Sequence, residues 1–148
     1  MANDYQLSAQ IIGAKELMQA ISGVNEVAKK AISDALNKSA YELESKAREK
    51  APHDQGGLRA SIHTDQSPGH LARVVGNDIE AVVGTNIKYA HYQEMGGYGN
   101  RIVHKYTEPG TGKFYMKDAS SATKPLLTDH LQFALKTIVN HLATKGAM

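Results

Sequence analysis

The chain has 148 residues, 41% of them hydrophobic, a net charge of +2 and no cysteine. Disulfides, thiolate nucleophiles and cysteine-ligated zinc are excluded, and no apolar run approaches the ~18 residues that a membrane-spanning helix needs. The size suits one domain over 1–148, the start Met1-Ala-Asn-Asp-Tyr5 lacks the basic and apolar regions of a secretory signal, and a cysteine-free chain fits a reducing cytoplasm.

Tyr5, Leu7, Ala9 and Ile11 alternate with mostly polar neighbours and predict a strand over 5–12, ended by Gly13. Leu17, Met18 and Ile21 share one side of a short predicted helix over 14–21, closed by Ser22-Gly23. Val24 to Lys50 holds no Gly or Pro and is rich in Ala, Leu, Lys and Glu, so it predicts a long helix. Its apolar residues keep 3–4 spacing, but Leu36, Ala40, Leu43 and Ala47 lie about a third of a turn round from the early members, at 100° per residue. That stripe is broader than one core face requires. The second face either packs within its own domain or, through small residues such as Ala35 and Ala40, against a neighbouring subunit.

Pro52 disfavours helical geometry at Ala51 and ends the helix near Lys50. Gln55-Gly56-Gly57 supplies positive-φ positions for a turn. Leu58, Ala60 and Ile62 alternate with Arg59, Ser61 and His63 and predict a strand. After the loop 65–69, Leu71–Val75 and Ile79–Val83 flank Gly76-Asn77-Asp78 as a hairpin. Gly84-Thr-Asn86 turns the chain into a further predicted strand, Ile87–Glu94.

From Met95 to Ser121 the periodicity disappears among Gly96, Gly97, Gly99, Pro109, Gly110 and Gly112. This predicts an arm too long for an idle loop. Arg101, Lys105, Lys113 and Lys117 face only Glu108 and Asp118 there, a local excess of +2. The small excess favours protein partners over DNA. Tyr98, Tyr106, Phe114 and Tyr115 are expected to anchor the arm on adjacent subunits, since aromatics give large contact area at low rotamer cost. Pro125 is expected to open a C-terminal helix with Leu127, Leu131, Ala134, Leu135, Ile138 and Leu142 on one face. The expected fold is α+β: a small antiparallel sheet packed on one long helix and a C-terminal helix, with a long loop arm over 95–121.

Little of this carries chemistry. His91 and Glu94 are the best titratable pair, but they lack the two-histidine helix spacing of a zinc site. Gly110-Thr-Gly-Lys113 misses the phosphate-loop pattern at Thr107 and Phe114, and Gly96-Gly-Tyr-Gly99 has no strand–turn–helix setting. Ser61 lacks a nucleophile elbow. No catalytic, cofactor-binding or metal-ligating residues are assigned. The alternatives kept are a small nuclease using His91 and Glu94 as acid and base, or a nucleic-acid-binding module.

Two segments stand out: Ala51-Pro-His-Asp-Gln-Gly-Gly-Leu-Arg-Ala-Ser-Ile62 and Val82-Val-Gly-Thr-Asn-Ile-Lys-Tyr-Ala-His-Tyr-Gln-Glu-Met-Gly-Gly97. Their order and spacing resemble the neck or tail-completion family of tailed bacteriophages, from about Val24 to Leu142. Pro52, Gly56, Leu58 and Ser61 match the first family segment; Tyr89, Ala90, Glu94 and Gly96 match the second. The sequence departs from the family where Met95 and Gly97 flank Gly96 and where Leu126 follows Pro125. The resemblance implies a non-enzymatic virion protein without cofactors, assembled in the host cytoplasm. It further implies a homo-hexameric ring joining head connector or stopper proteins to tail terminator or tail-tube proteins. DNA would pass through the ring without sequence-specific contact, and no membrane is involved.

Overall fold

The structure, a computed structural model, describes residues 7–10, 26–52, 56–65, 69–75, 78–98, 101–102, 106 and 108–146. In chain order the elements are β1 (Leu7–Gln10), α1 (Glu26–Lys50), α2 (Gly57–Ser61), β2 (His70–Val75) and β3 (Asp78–Thr85). They are followed by α3 (Ala90–Met95), β4 (Gly97–Tyr98), β5 (Arg101–Ile102) and α4 (Tyr115–Gly146). The architecture is α+β, as the sequence predicts.

α1 has Glu26 in its first turn and Arg48 and Lys50 in its last, complementing the helix dipole at both ends. The chain leaves the helix just before Pro52. β2 and β3 form the expected hairpin, with Val75 opposite Asp78, and β1 pairs antiparallel with the other edge of β3. The sheet order is therefore β1-β3-β2. The predicted strand over 5–12 thus joins its own sheet through its described part. The helix predicted over 14–21 lies outside the described residues.

α1 lies against β2 and β3 and also along α4. Ile32, Leu36, Ala40 and Leu43 of α1 are buried together with Ile79, Ala81 and Val83 of β3 and Met116, Ala119 and Ile138 of α4. This corrects the reading of α1's second face as an inter-subunit surface. Ala40 is sealed within its own chain, and only Ala35, at the margin of the α1–α4 contact, borders an open surface.

Four other expectations are corrected. Residues 58–62 are not a strand: α2 is a single helical turn closed by the Ala60 N–H donating to the Gly56 carbonyl at 3.0 Å. Leu58 and Ile62 are buried but Ala60 is exposed, which is i,i+4 burial and not alternation. Residues 87–94 are likewise a turn leading into α3, where Ala90 and Glu94 are buried one turn apart. α4 begins ten residues before Pro125, so the proline lies inside the helix and not at its start.

The predicted arm is largely tied to its own chain. A short hairpin, Gly97–Tyr98 with Arg101–Ile102, opens it. Glu108 then pairs with Arg59 at 2.7 Å, the Gly112 N–H donates to the Lys50 carbonyl at 3.1 Å, and residues from 115 onward are helical. These backbone bonds fix a segment that has few apolar side chains of its own. The bond from Gly112 also satisfies a carbonyl at the C-terminal end of α1.

Candidate functional site

The two family-like segments converge on one structural junction. Gly56 sits at φ 79°, a left-handed conformation that favours glycine, and starts α2; Gly57 has no such requirement. Leu58 is buried in the core. Ser61 donates its hydroxyl to the Leu58 carbonyl at 2.7 Å and accepts from buried Thr85 at the end of β3. Thr85 Oγ1 in turn accepts the Ile87 N–H at 3.3 Å. This relay joins α2 to the segment that carries Tyr89 and Ala90. Arg59 reinforces it by donating through Nε to the Ala51 carbonyl at 3.0 Å while its other end holds Glu108.

The second segment builds the start of α4. Buried Glu94 accepts the N–H of Met116 at 2.9 Å on Oε2 and that of Lys117 at 3.1 Å on Oε1. Its main-chain carbonyl accepts the Phe114 N–H at 2.7 Å. A carboxylate from a distant helix therefore satisfies two of α4's free first-turn donors and faces the positive end of its dipole. Tyr115, 1% exposed, donates its hydroxyl to the Ala90 carbonyl at 3.1 Å. Burial chiefly, then the Glu94 and Tyr89 charges, pushes the Tyr115 phenol far above its ordinary value, so it stays a donor. The chain turns sharply at Gly96 (φ 81°), against which the stem of Lys113 packs.

All eight motif residues lie among the described residues, and most of them meet at this junction. Ser61, Ala90 and Glu94 are engaged in internal hydrogen bonds. Tyr89 is about half exposed, with its hydroxyl near Gly57. The proposed arm anchors separate. Tyr115 is buried in its own chain, which overturns its assignment as a partner contact. Tyr106 packs against Gly112. Phe114 is half-buried with Lys113 and Lys117 over its ring at 5.4 and 5.1 Å. The side chains of Tyr98 and Arg101, and all of Lys105, lie outside the described residues.

The acid–base candidates His91 and Glu94 sit in different surroundings. His91 is exposed on α3 and lies edge-on to Tyr92, whereas both carboxylate oxygens of Glu94 are committed to α4. Glu44, His63 and Asp65 bring possible ligand atoms within 4.8 Å of one another. Arg48 already fills that role: its guanidinium meets Glu44 at 2.9 Å and His63 Nδ1 at 2.8 Å. Glu44 also accepts the Thr64 N–H. A cation is thus built into the cluster, and these residues do not fit a metal.

Sequence reasoning missed a polar cluster between α1 and α4. His130 Nδ1 lies 2.9 Å from Ser39 Oγ, and its Nε2 lies 3.6 Å from Glu42. The composition suggests a hydrolytic triad, but Ser39 is fully buried and bonds the Ala35 carbonyl at 3.0 Å. The cluster pins the two helices together. Ser39 and His130 are 91 positions apart, so no local pattern could have signalled it.

A family model described as "HK97-gp10_like: Bacteriophage HK97-gp10, putative tail-component" matches residues 15–96, more than half of the chain. No curated protein and no solved structure gives a significant match.

Proposed function

The chain belongs to the HK97-gp10-like family of bacteriophage tail components, and from that premise we propose that it forms a ring, of six copies, in the phage neck. The ring joins the head connector to the tail tube and does its work through interfaces, not turnover. The observation that carries this reading is the use of the motif residues. Ser61, Ala90 and Glu94 lock α2, α3 and α4 together and present nothing to a substrate. A rigid body of this kind suits a part that is clamped between other parts. Its partners are head connector or stopper proteins on one side and terminator or tail-tube proteins on the other, with DNA passing through the channel. No described helix is long and apolar enough to cross a membrane, in keeping with a virion location.

Electron cryo-microscopy of particles, together with native mass spectrometry of the purified chain, tests the proposal. A closed ring between head and tail is expected, and phage lacking the chain should accumulate unjoined heads and tails. Normal joining in its absence would overturn the proposal.

A further inference from the structure

A ring needs two different surfaces that meet between neighbours, and two of the apolar surfaces that the fold exposes differ in shape as such a pair must. The first is a cleft of about 480 Å³ between α1 and α4, lined by Ala31, Ala35 and Ala134, with Phe133 73% exposed at its rim. Asp34, paired with Lys30 at 2.8 Å, and Asp129 border it together with Lys38. The second is β2, which has β3 on one side only among the described residues. Leu71, Val74 and Val75 are exposed along this edge, Val74 and Val75 on opposite faces of the strand, and the side chain of Arg73 is 60% exposed.

An uncovered apolar edge strand is an aggregation hazard. A new strand is not its natural cover, because the Ala72 N–H is already taken by Asn37 Oδ1 at 2.6 Å. What β2 offers is side chains. Within one chain it cannot reach the cleft. Asn37 touches β2 and Ser39 touches α4, two positions about 200° apart round α1, and the cleft opens on the remaining side. The exposed parts of Phe133, Leu71, Val74 and Val75 come to on the order of 350 Å², taking large side chains at about 150–200 Å² each. That would form the apolar centre of an interface of standard size, about 800 Å² per partner. The charges are opposite in sign: Arg73, exposed although it lies 3.3 Å from Glu80, on one surface, and Asp129 on the other, Asp34 being already paired with Lys30 at 2.8 Å.

We propose that neighbouring copies join head to tail, the Leu71–Val75 edge of one seating in the α1–α4 cleft of the next, with Arg73 opposite Asp129. This rests on the ring reading above and adds which surfaces make the ring.

The absence of native cysteine makes disulfide trapping clean. Val74→Cys and Thr137→Cys, the latter in the cleft, are made singly and together, and native folding is checked by far-UV circular dichroism. Oxidation of the double variant at ring-forming concentration should give a covalent ladder. A 1:1 mixture of the single variants should give covalent dimers, and neither single variant alone should cross-link. Arg73→Glu should weaken assembly at least tenfold by native mass spectrometry, and Asp129→Arg should restore it. A parent ring with no Val74–Thr137 cross-link overturns this interface and leaves the ring standing. Covalent dimers from Thr137→Cys alone mean that cleft faces cleft, which also overturns it. A parent chain that forms no ring, alone or in particles, sinks both readings.

Discussion

Replacing Glu94 by alanine strips the start of α4 of both side-chain acceptors, on Met116 and Lys117. Hydrogen bonds to a charged group are worth about 1.5–3 kcal/mol each. The Met116 N–H would be left in a buried position, whereas Lys117 is exposed and water can reach it. One full penalty and part of a second give a loss of about 2–4 kcal/mol. For a chain of this length each kcal/mol lowers Tm by about 2–4 °C, so the midpoint should fall by roughly 5–15 °C. Glu94→Gln keeps an acceptor for one N–H but loses the charge, and should lose about half as much. His91→Ala, on the exposed face of the same helix, should stay within about 0.5 kcal/mol of the parent. Urea denaturation followed by circular dichroism measures all three, with unchanged m-values as the check on two-state behaviour. A Glu94→Ala variant within about 0.5 kcal/mol of the parent would refute the capping role and reopen Glu94 for chemistry.

Tyr115 gives a pH prediction. Its phenol is raised in the folded chain by burial, Glu94 and Tyr89, so above the ordinary value of 10.0 the unfolded chain releases a proton that the folded chain keeps. The stabilisation is complete below pH ~10 and falls by about 1.4 kcal/mol per pH unit above it. Tyr115→Phe should remove that part of the slope in alkaline denaturation while costing about 1 kcal/mol at neutral pH. Gly56→Val should destabilise by about 1–2 kcal/mol through its positive φ, whereas Gly57→Ala carries no such strain and only nudges the Tyr89 hydroxyl; equal losses in thermal melts would contradict this. Pro125→Ala restores a backbone donor inside α4 and should stabilise by about 1–3 kcal/mol; a loss in the same assay would show that the proline is needed for packing.

The sequence by itself determined the parts whose signal is local and long. α1 follows from 25 residues of consistent helical spacing ended by Pro52, the β2–β3 hairpin from two alternating runs about a tight turn, and the Gly56 turn from its glycine pair. α2 and α3 were not legible as helices. Over five or six residues, apolar positions at i and i+4 fit a helix and a strand equally, and only burial against α1 and α4 decides between them. Pro125 misled for a related reason: it is a sound start signal, but Glu94 caps the helix earlier, and Tyr115, Met116 and Ala119 bury its first turns. The motif residues could be picked out in the sequence, yet their roles could not. Glu94 meets Met116 across 22 positions and Ser61 meets Thr85 across 24. A carboxylate carries no mark of which donors it will satisfy until folding brings them within hydrogen-bond reach.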